Sequence, residues 1–185
     1  MNYLLLAEGF EEVEAVTVVD MLRRAEIPVT TVAVNAYGAD PRVTGSHGLS
    51  VVADRGMTES VPEDLSGLIL PGGSPGADNL GRAPHVQSWI RTAFERGRLI
   101  AAVCAAPGIL GDMGLLKGKT ATCFGGMEDR LKGALVSNAP ACRDGNLITG
   151  RSAGCAILFG AEIVRFYQGD EAARALLQAL QCPES

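Results

Sequence analysis

The sequence predicts an α/β fold in which helices cover both faces of a mainly parallel sheet, a three-layer sandwich. Short apolar runs alternate along the chain with amphipathic stretches, as they do when parallel strands are buried on both faces. The chain has 185 residues, of which 47% are hydrophobic and 23 are glycine, so it can bury a sizeable core, and disorder is excluded. No linker, repeat or low-complexity segment divides the chain, and we expect residues 1–185 to form one domain.

The predicted elements begin with a buried apolar strand at Tyr3–Ala7. After a turn at Gly9, apolar residues recur at helical spacing and predict a helix over Glu11–Ala25. β-Branched residues predict the next strand at Val29–Val34, and a Gly/Asp/Pro-rich loop with a short hairpin follows over Asn35–Gly48. The same patterns predict, in order, strand Leu68–Leu70, helix Pro84–Arg96, strand Leu99–Val103, helix Ala105–Met113, an irregular region Thr120–Asp144 with a short helix near Glu128, strand Leu147–Thr149, and helices Ser152–Tyr167 and Asp170–Gln181.

Charge and hydropathy exclude two kinds of partner. The chain carries 16 Lys+Arg against 21 Asp+Glu, a net charge near -5, and has no local Lys/Arg cluster, so we expect no nucleic-acid partner. The longest apolar stretch, Leu99–Leu110, is shorter than the roughly 20 residues of a membrane-spanning helix, and we expect no membrane association. Free thiols and an N-terminus without a basic region predict a cytoplasmic location.

The histidine and cysteine contents restrict the chemistry further. The two histidines, His47 and His85, cannot form a multi-histidine zinc site. The five cysteines are odd in number and contain no C-x-x-C pair, which argues against a disulfide framework and a zinc ribbon. The chain also lacks a dinucleotide-binding fingerprint and a phosphate P-loop. We therefore expect neither a metal nor a cofactor.

Unusual residues follow four of the predicted strands, and ligands bind parallel sheets at such carboxyl ends. Cys104 is the most informative, because it lies between a strand and a helix among small residues, as a nucleophile on a tight turn does. We expect the helix N-terminus to lower its pKa below about 8.5, the value of a free cysteine. The alternative is a buried cysteine that packs as a small hydrophobe, which is the commoner role.

Two further segments offer partners for Cys104. In Pro71-Gly72-Gly73, glycines directly after a strand let backbone amides approach a ligand as an oxyanion hole requires, although a plain tight turn explains them equally well. Glu14 and two other glutamates lie in the first helical turn, where negatively charged side chains interact favourably with the helix dipole. One carboxyl turned towards Cys104 could instead hydrogen-bond the sulfur or move a proton. Both histidines precede Cys104, so a conventional Cys-His amidase is weakly supported.

Four segments together, AEGFEEVEAVTVVDMLRRA, LILPGGSPGADNL, LIAAVCAAPGIL and LITGRSAG, resemble the ThiJ/PfpI superfamily, in particular its small single-domain branch that contains protein deglycases. The resemblance covers nearly the whole chain and implies one flavodoxin-like, class I glutaminase-like domain, without a cofactor and usually homodimeric. It matches the reactive cysteine to Cys104 and a protonated acid to Glu14. It matches the oxyanion-binding amides to Gly72, Gly73 and Ala105.

The sequence departs from the family at several positions. The proteolytic branch has histidine where this chain has Ala105, which lowers the expectation of a protease. Several relatives have histidine where this chain has Cys123, so a thiol replaces a proton carrier, and the family alignment predicts that this thiol can form a disulfide with Cys104. His47 is an accessory candidate, as a base that reaches a partner subunit's pocket. Arg151 is another, in a motif that reads Arg-Gly-Pro-Gly in relatives and Arg-Ser-Ala-Gly here.

The resemblance implies a cofactor-independent enzyme in which Cys104 attacks small reactive carbonyls or glycated substrates, as glyoxalases and deglycases do, while Glu14 moves the proton. The alternative is an oxidative-stress sensor or chaperone-like protein with an oxidisable Cys104. An intracellular protease or amidase, or a protein of the kind labelled with thiazole biosynthesis, is a weaker expectation.

Overall fold

The computed structural model describes residues 1–34 and 40–182, and its central feature is a mainly parallel sheet. Within those residues the sheet has seven strands in the order β10-β11-β7-β6-β1-β2-β5, and β10 is the antiparallel member. Their bounds are β1 Asn2–Leu6, β2 Val29–Ala33, β5 Arg55–Gly56, β6 Gly67–Leu70, β7 Leu99–Val103, β10 Ala141–Asp144 and β11 Leu147–Gly150. Two small ribbons pair β3 (Arg42–Thr44) with β4 (Ser50–Val52), and β8 (Thr120–Ala121) with β9 (Leu135–Val136).

The helices cover the sheet on both sides. They are α1 Glu12–Arg24, α2 Gly76–Arg82, α3 Pro84–Glu95, α4 Pro107–Asp112 and α5 Ala156–Ala179, with single 3₁₀ turns at Glu128–Arg130 and Ala153–Cys155. Alternate residues of β1 enter opposite cores, because successive side chains of a strand point to opposite faces. Leu4 packs with Met21 of α1 and Phe159 of α5, whereas Leu5 packs with Trp89 of α3. The predicted flavodoxin-like α/β sandwich is thereby confirmed.

The element predictions were right for the central strands and the long helices, and wrong at the margins. Helix α2 was missed because its sequence, GADNLGR, contains two glycines and an asparagine, which have low helix propensity. The short edge strand β5 was also missed. The two predicted C-terminal helices are both present, because α5 is interrupted at Gly169, whose φ of 86° and ψ of 179° are not helical, and the break predicted between Tyr167 and Asp170 is confirmed. Of the predicted loop Asn35–Gly48, residues 35–39 lie outside the described part of the chain, and the observed hairpin β3–β4 begins within the loop but extends beyond it to Val52.

The parallel strands bring the predicted functional segments to one edge of the sheet. β1, β6, β7 and β11 lie side by side, and each ends at the same edge. The segments that follow these strands carry the glutamates of α1, the Gly72-Gly73 turn, Cys104 and Arg151, respectively. Across residues 1–34 and 40–182 there is no helix with the length and apolar character needed to cross a membrane.

Candidate active site

Cys104 occupies a sharp turn between β7 and α4. Its backbone has φ 63°, in the left-handed region that non-glycine residues seldom adopt. Two long-range backbone hydrogen bonds fix this conformation: the Cys104 N–H donates to the Gly150 carbonyl (3.0 Å), and the Phe124 N–H donates to the Cys104 carbonyl (2.8 Å). The half-buried side chain is free of any disulfide. Strained geometry supported from both sides is typical of functional positions, and it agrees with the predicted elbow.

Glu14 is the buried acid of the site. Its side chain is 1% exposed, and its Oε2 accepts the Gly72 N–H at 2.7 Å. Its Oε1 is buried without a hydrogen-bond partner among the residues that the structure describes. Burial raises the pKa of Glu14 to about 7, against the opposing effect of the Gly72 amide and the Cys104 thiol. The carboxyl therefore exchanges a proton close to neutral pH.

Gly72 separates the acid from the cysteine. A Cβ atom at this position would lie 2.7 Å from the Cβ of Cys104 and 2.9 Å from Oε2 of Glu14. Both distances are shorter than van der Waals contact, so any side chain at position 72 would push the two groups apart. The absence of a side chain at position 72 lets Cys104 and Glu14 come within hydrogen-bonding reach of each other.

The pKa of Cys104 is raised to about 12, and the predicted lowering by a helix N-terminus is therefore wrong. Burial is the main cause, and the charge and hydrogen bonding of ionised Glu14 add to it. Helix α4 opposes this weakly, because it has only six residues and begins three positions after Cys104. A protonated Glu14 carries no charge and can donate to the sulfur, so the thiolate becomes accessible when the carboxyl holds the proton.

The backbone amides around Cys104 hydrogen-bond two different groups, the Glu14 carboxyl and the Cys104 sulfur. Gly73 and Ala105 hydrogen-bond the Cys104 sulfur and so oppose the rise in its pKa. The Gly72 amide donates to Glu14 instead, so its predicted place in the oxyanion hole is contradicted. Gly73 has φ 97°, and a Cβ there would lie 2.3 Å from the Gly9 carbonyl oxygen, which explains why glycine occupies this turn. The geometry therefore offers Gly73 and Ala105 as the donors for a developing oxyanion.

A second carboxylate, Glu12, holds the loop of residues 45–49, which we call the rim loop, through hydrogen bonds. It is 8% exposed, and its Oε1 accepts the backbone N–H groups of His47 (2.7 Å) and Leu49 (3.4 Å). Its Oε2 lies 2.9 Å from Nδ1 of His47 and accepts the Ser46 hydroxyl at 3.3 Å. Burial raises the pKa of Glu12, but the hydrogen bonds from His47 and the backbone outweigh it and lower the pKa to about 2. The hydrogen bond with Glu12 raises the pKa of His47 in turn.

A pocket of about 470 Å³ opens over Cys104. It is lined by Glu11, Ser46, His47, Gly73, Ser74, Ala77, Asp78, Cys104, Ala105, Phe124 and Met127. His47 thus lines the pocket of its own chain and needs no partner subunit to reach it, in contrast to the sequence-based expectation. Cavities of this size take small organic ligands.

The other accessory candidates lie away from the pocket. Cys123 is buried in the hydrophobic core that contains Trp89, and its thiol donates to the Phe124 carbonyl at 3.4 Å. Its disulfide with Cys104 stays a prediction, and both thiols are free in the structure. The Arg151 guanidinium donates to the Asn138 carbonyl at 3.0 Å and does not line the pocket.

One set of side chains has the composition of a metal site. The ligand atoms of Glu11, Glu12 and His47 lie within 4.8 Å of one another. The donors are already engaged, since Oε2 of Glu11 accepts the Glu14 N–H at 2.7 Å and both oxygens of Glu12 accept from the 46–49 loop. We interpret the set as a hydrogen-bonded cluster, and the expected absence of a metal stays a prediction.

The sequence did not reveal the roles of Glu11 and Glu12. Glu11 is the N-cap of α1, so the helix begins one residue later than predicted, and glutamate is not among the residues that the N-cap prefers. Glu12 was grouped with the surface acids of the first turn, yet it is buried beneath the 45–49 loop. A Cβ on Gly45 would lie 2.3 Å from its carboxyl. The sequence feature that corresponds to the burial of Glu12 is Gly45, which lies more than 30 residues further along the chain, so no local pattern connects the two.

The fold and the site together define a flavodoxin-like protein with a cysteine on a strand–helix elbow and a buried carboxyl beside it. The DJ-1/PfpI family model matches residues 2–166, and the chain belongs to this family. It is similar to the protein dj-1beta of Drosophila melanogaster, with 32% identity over 96% of this chain and 94% of that protein.

Two other relatives agree with the family assignment. A deglycase from Thermococcus kodakarensis is 30% identical over 82% of this chain and 89% of that protein. The crystal structure of a cysteine-to-alanine mutant of a DJ-1 superfamily protein from Salmonella typhimurium superimposes with a TM-score of 0.91 at 32% identity. It covers 99% of this chain and 98% of that one.

Proposed function

We propose that the protein is a cofactor-independent enzyme that converts small reactive carbonyl compounds, or their adducts with amino groups, through a covalent bond to Cys104. The observation that carries the proposal is that Cys104 lines a pocket that fits small ligands, while the buried Glu14 carboxyl lies within hydrogen-bonding reach of its thiol. The pKa of Glu14, about 7, lets this carboxyl both accept and donate a proton near neutral pH. The similarity to a deglycase supports the same class of chemistry.

The first step is addition of the thiol to the aldehyde of a ketoaldehyde such as methylglyoxal. A bond forms between sulfur and the aldehyde carbon, and the carbonyl π bond breaks onto oxygen. Ionised Glu14 accepts the thiol proton and returns it to that oxygen, which gives a hemithioacetal. The Gly73 and Ala105 amides stabilise the negative charge on oxygen during the step.

His47 supplies the second proton carrier that this chemistry needs. Its Nδ1 faces Glu12, which orients the ring and leaves Nε2 as the lone-pair nitrogen of the neutral form. The raised pKa of His47 makes the neutral ring a stronger base. It removes the hydrogen of the former aldehyde carbon as a proton, and the adjacent carbonyl π bond breaks onto its oxygen, which takes up a proton to give an enediol. The first proton then returns to the adjacent carbon while the hydroxyl on the sulfur-bearing carbon loses its own proton, which gives the thioester with no net gain or loss of protons. Water then hydrolyses the thioester, so that methylglyoxal and water yield lactate and the free thiol.

The test is the rate of lactate formation from methylglyoxal in wild type and in Cys104→Ala. We expect the variant to lose at least about 10³-fold in kcat, since removal of a nucleophile abolishes the covalent route. Cys155→Ala is the matched control, because this cysteine is also half-buried but does not line the pocket. Equal rates in wild type and Cys104→Ala would contradict the proposal.

A redox sensor is the second candidate function, and one observation favours it. A protonated Glu14 beside Cys104 can donate a hydrogen bond to an oxidised sulfur, and its Oε1 has no competing partner among the described residues. Two equivalents of hydrogen peroxide would convert the thiol through sulfenic to sulfinic acid, with two molecules of water released. Peptide mass spectrometry after peroxide treatment tests this: sulfinic acid confined to Cys104 supports it, and equal oxidation of all five cysteines contradicts it.

We also propose that the protein forms a homodimer, as the family resemblance implies. Exposed apolar side chains of α1 and of the β3–β4 ribbon meet around one groove, which Val16 and Val52 both line. These two side chains are 50% and 61% exposed, and a second copy is the occupant that the resemblance implies. Analytical ultracentrifugation tests this assembly. A dimeric wild type together with a monomeric Val16→Asp/Val52→Asp variant supports it, and a monomeric wild type contradicts it.

A further inference from the structure

A second cavity shares part of its wall with the cysteine pocket. Its volume is about 480 Å³, and its lining includes the side chains of Arg82, Arg91 and Arg130. We call it the arginine cavity. Asp78 of α2 lines both the arginine cavity and the cysteine pocket, so the two spaces are direct neighbours.

The arginine cavity has more positive charge than its own acids neutralise. Arg130 lies 2.8 Å from Asp112 and 3.8 Å from Asp78, and Lys132 lies 2.7 Å from Asp112, so both carboxylates of the lining are paired. Arg82 and Arg91 form no ion pair or hydrogen bond with any residue in the described ranges 1–34 and 40–182. Two exposed guanidinium groups therefore face a cavity whose carboxylates are already occupied.

Two contacts position the helices and the arginine that form the walls of the arginine cavity. Arg130 lies against α4, since a Cβ on Gly108 would be 2.8 Å from its Nε. Helix α4 begins three residues after Cys104, so this wall is packed on the helix that follows the elbow. On the opposite side, the Gln87 side-chain amide of α3 donates to the Gly81 carbonyl of α2 at 2.6 Å, which ties together the two helices that carry Arg82 and Arg91.

We propose that the arginine cavity binds a phosphate or carboxylate group of the substrate while its aldehyde reacts at Cys104. The substrate class is then a small carbonyl compound with an anionic tail, an inference that rests on the proposed function. Guanidinium groups bind both anions through paired N–H donors. In a chain of net charge near -5, two uncompensated arginines beside the reactive pocket attract an anion against the overall field.

Binding is tested first with inorganic phosphate at low ionic strength, by calorimetry and by NMR titration of backbone amides. We expect saturable binding to wild type that weakens at least about tenfold in Arg82→Gln/Arg91→Gln, since each charge-assisted contact contributes strongly. Arg174→Gln is the matched control, an exposed arginine of α5 that also has no described partner. Unchanged affinity in the double variant, or equal weakening in the control, overturns the proposal.

Turnover then identifies the anion and separates this inference from the proposed function. Three ketoaldehydes are compared: methylglyoxal, its 3-phosphooxy derivative and 4,5-dioxopentanoate, which has a carboxylate tail. We expect the kcat/KM for at least one anionic compound to exceed that for methylglyoxal and to fall about tenfold in the double variant, mainly through KM, while methylglyoxal turnover is unchanged. No advantage for either anionic compound contradicts the anionic substrate class.

Failure of the arginine-cavity proposal and failure of the proposed function give different experimental results. Phosphate binding at the arginines without turnover of any ketoaldehyde contradicts the proposed activity and the role of the cavity as a substrate subsite. Methylglyoxal turnover without phosphate binding leaves the proposed activity supported and removes the arginine cavity from it.

Discussion

Glu12 and Glu14 lie two residues apart at the start of one helix, and both are almost fully buried, yet they have opposite electrostatic properties. The pKa of Glu12 is lowered to about 2, whereas that of Glu14 is raised to about 7. Glu12 accepts hydrogen bonds from the backbone and side chains of the rim loop, but Glu14 accepts one backbone amide and leaves Oε1 without a partner among the described residues.

The comparison shows that hydrogen-bond donors, and not burial alone, decide whether a carboxyl keeps its charge. In the rim loop, the backbone N–H groups of His47 and Leu49 donate to Glu12, and its fixed negative charge orients the His47 ring. Next to Cys104, Glu14 accepts only one backbone N–H among the described residues, and its carboxyl can change its protonation state near neutral pH. In the proposed mechanism, these surroundings give one carboxylate a positioning role and the other a chemical role.

The largest expected effect tests the chemical role. Glu14→Gln keeps the size of the side chain and removes its titrating proton, so we expect kcat for methylglyoxal to fall by about 10² to 10⁴-fold. Steady-state kinetics across pH 5–9 measure it, and the part of the wild-type pH dependence that Glu14 causes near pH 7 should be lost in the variant, whereas the part that His47 causes should remain. Glu171→Gln, on the exposed face of α5, is the control. A variant that keeps both the rate and the full wild-type pH dependence would remove Glu14 from the mechanism.

A smaller effect concerns stability at the same residue. The folded-state pKa of Glu14 is raised from 4.5 to about 7, so burial of the neutral acid is fully favourable below pH 4.5 and is lost as pH rises through 7. The free energy of unfolding of Glu14→Gln should therefore increase relative to wild type by about 3 kcal/mol between pH 4.5 and pH 8. Urea unfolding of both proteins at each pH measures this, and parallel pH curves would show that Glu14 remains charged.

Glu12 should show the opposite pH dependence. Its folded-state pKa is lowered from 4.5 to about 2, so its stabilising contribution is present above pH 4.5 and is lost as pH falls towards 2. Glu12→Gln should unfold about 1 to 2 kcal/mol more easily at pH 7, because the rim amides lose a charged acceptor. The difference from wild type should shrink in acid. A difference that is constant from pH 7 to pH 3 would indicate a packing effect only.

The sequence alone was sufficient to predict the central strands of the sheet and the proximity of Cys104 and Glu14. Continuous apolar strands, Gly-Gly after one of them and a cysteine among small residues after another are local patterns, and parallel topology brings them together. The wrong or missing parts depend on contacts between distant residues. The pKa of Cys104 depends on burial and on Glu14, the occupied amide of Gly72 depends on α1, and the arginine cavity combines residues 82, 91 and 130, so no local basic cluster predicts it.

The left-handed backbone of Cys104 has a consequence for how this protein tolerates mutation. Glycine adopts φ 63° without strain, so among variants that lack the thiol, Cys104→Gly should be more stable to urea than Cys104→Ala by about 1 kcal/mol. Selection for stability alone would therefore drive position 104 towards glycine. A lineage that keeps cysteine there is under continuing selection for its reactivity, and loss of that selection should show first as drift at this one codon.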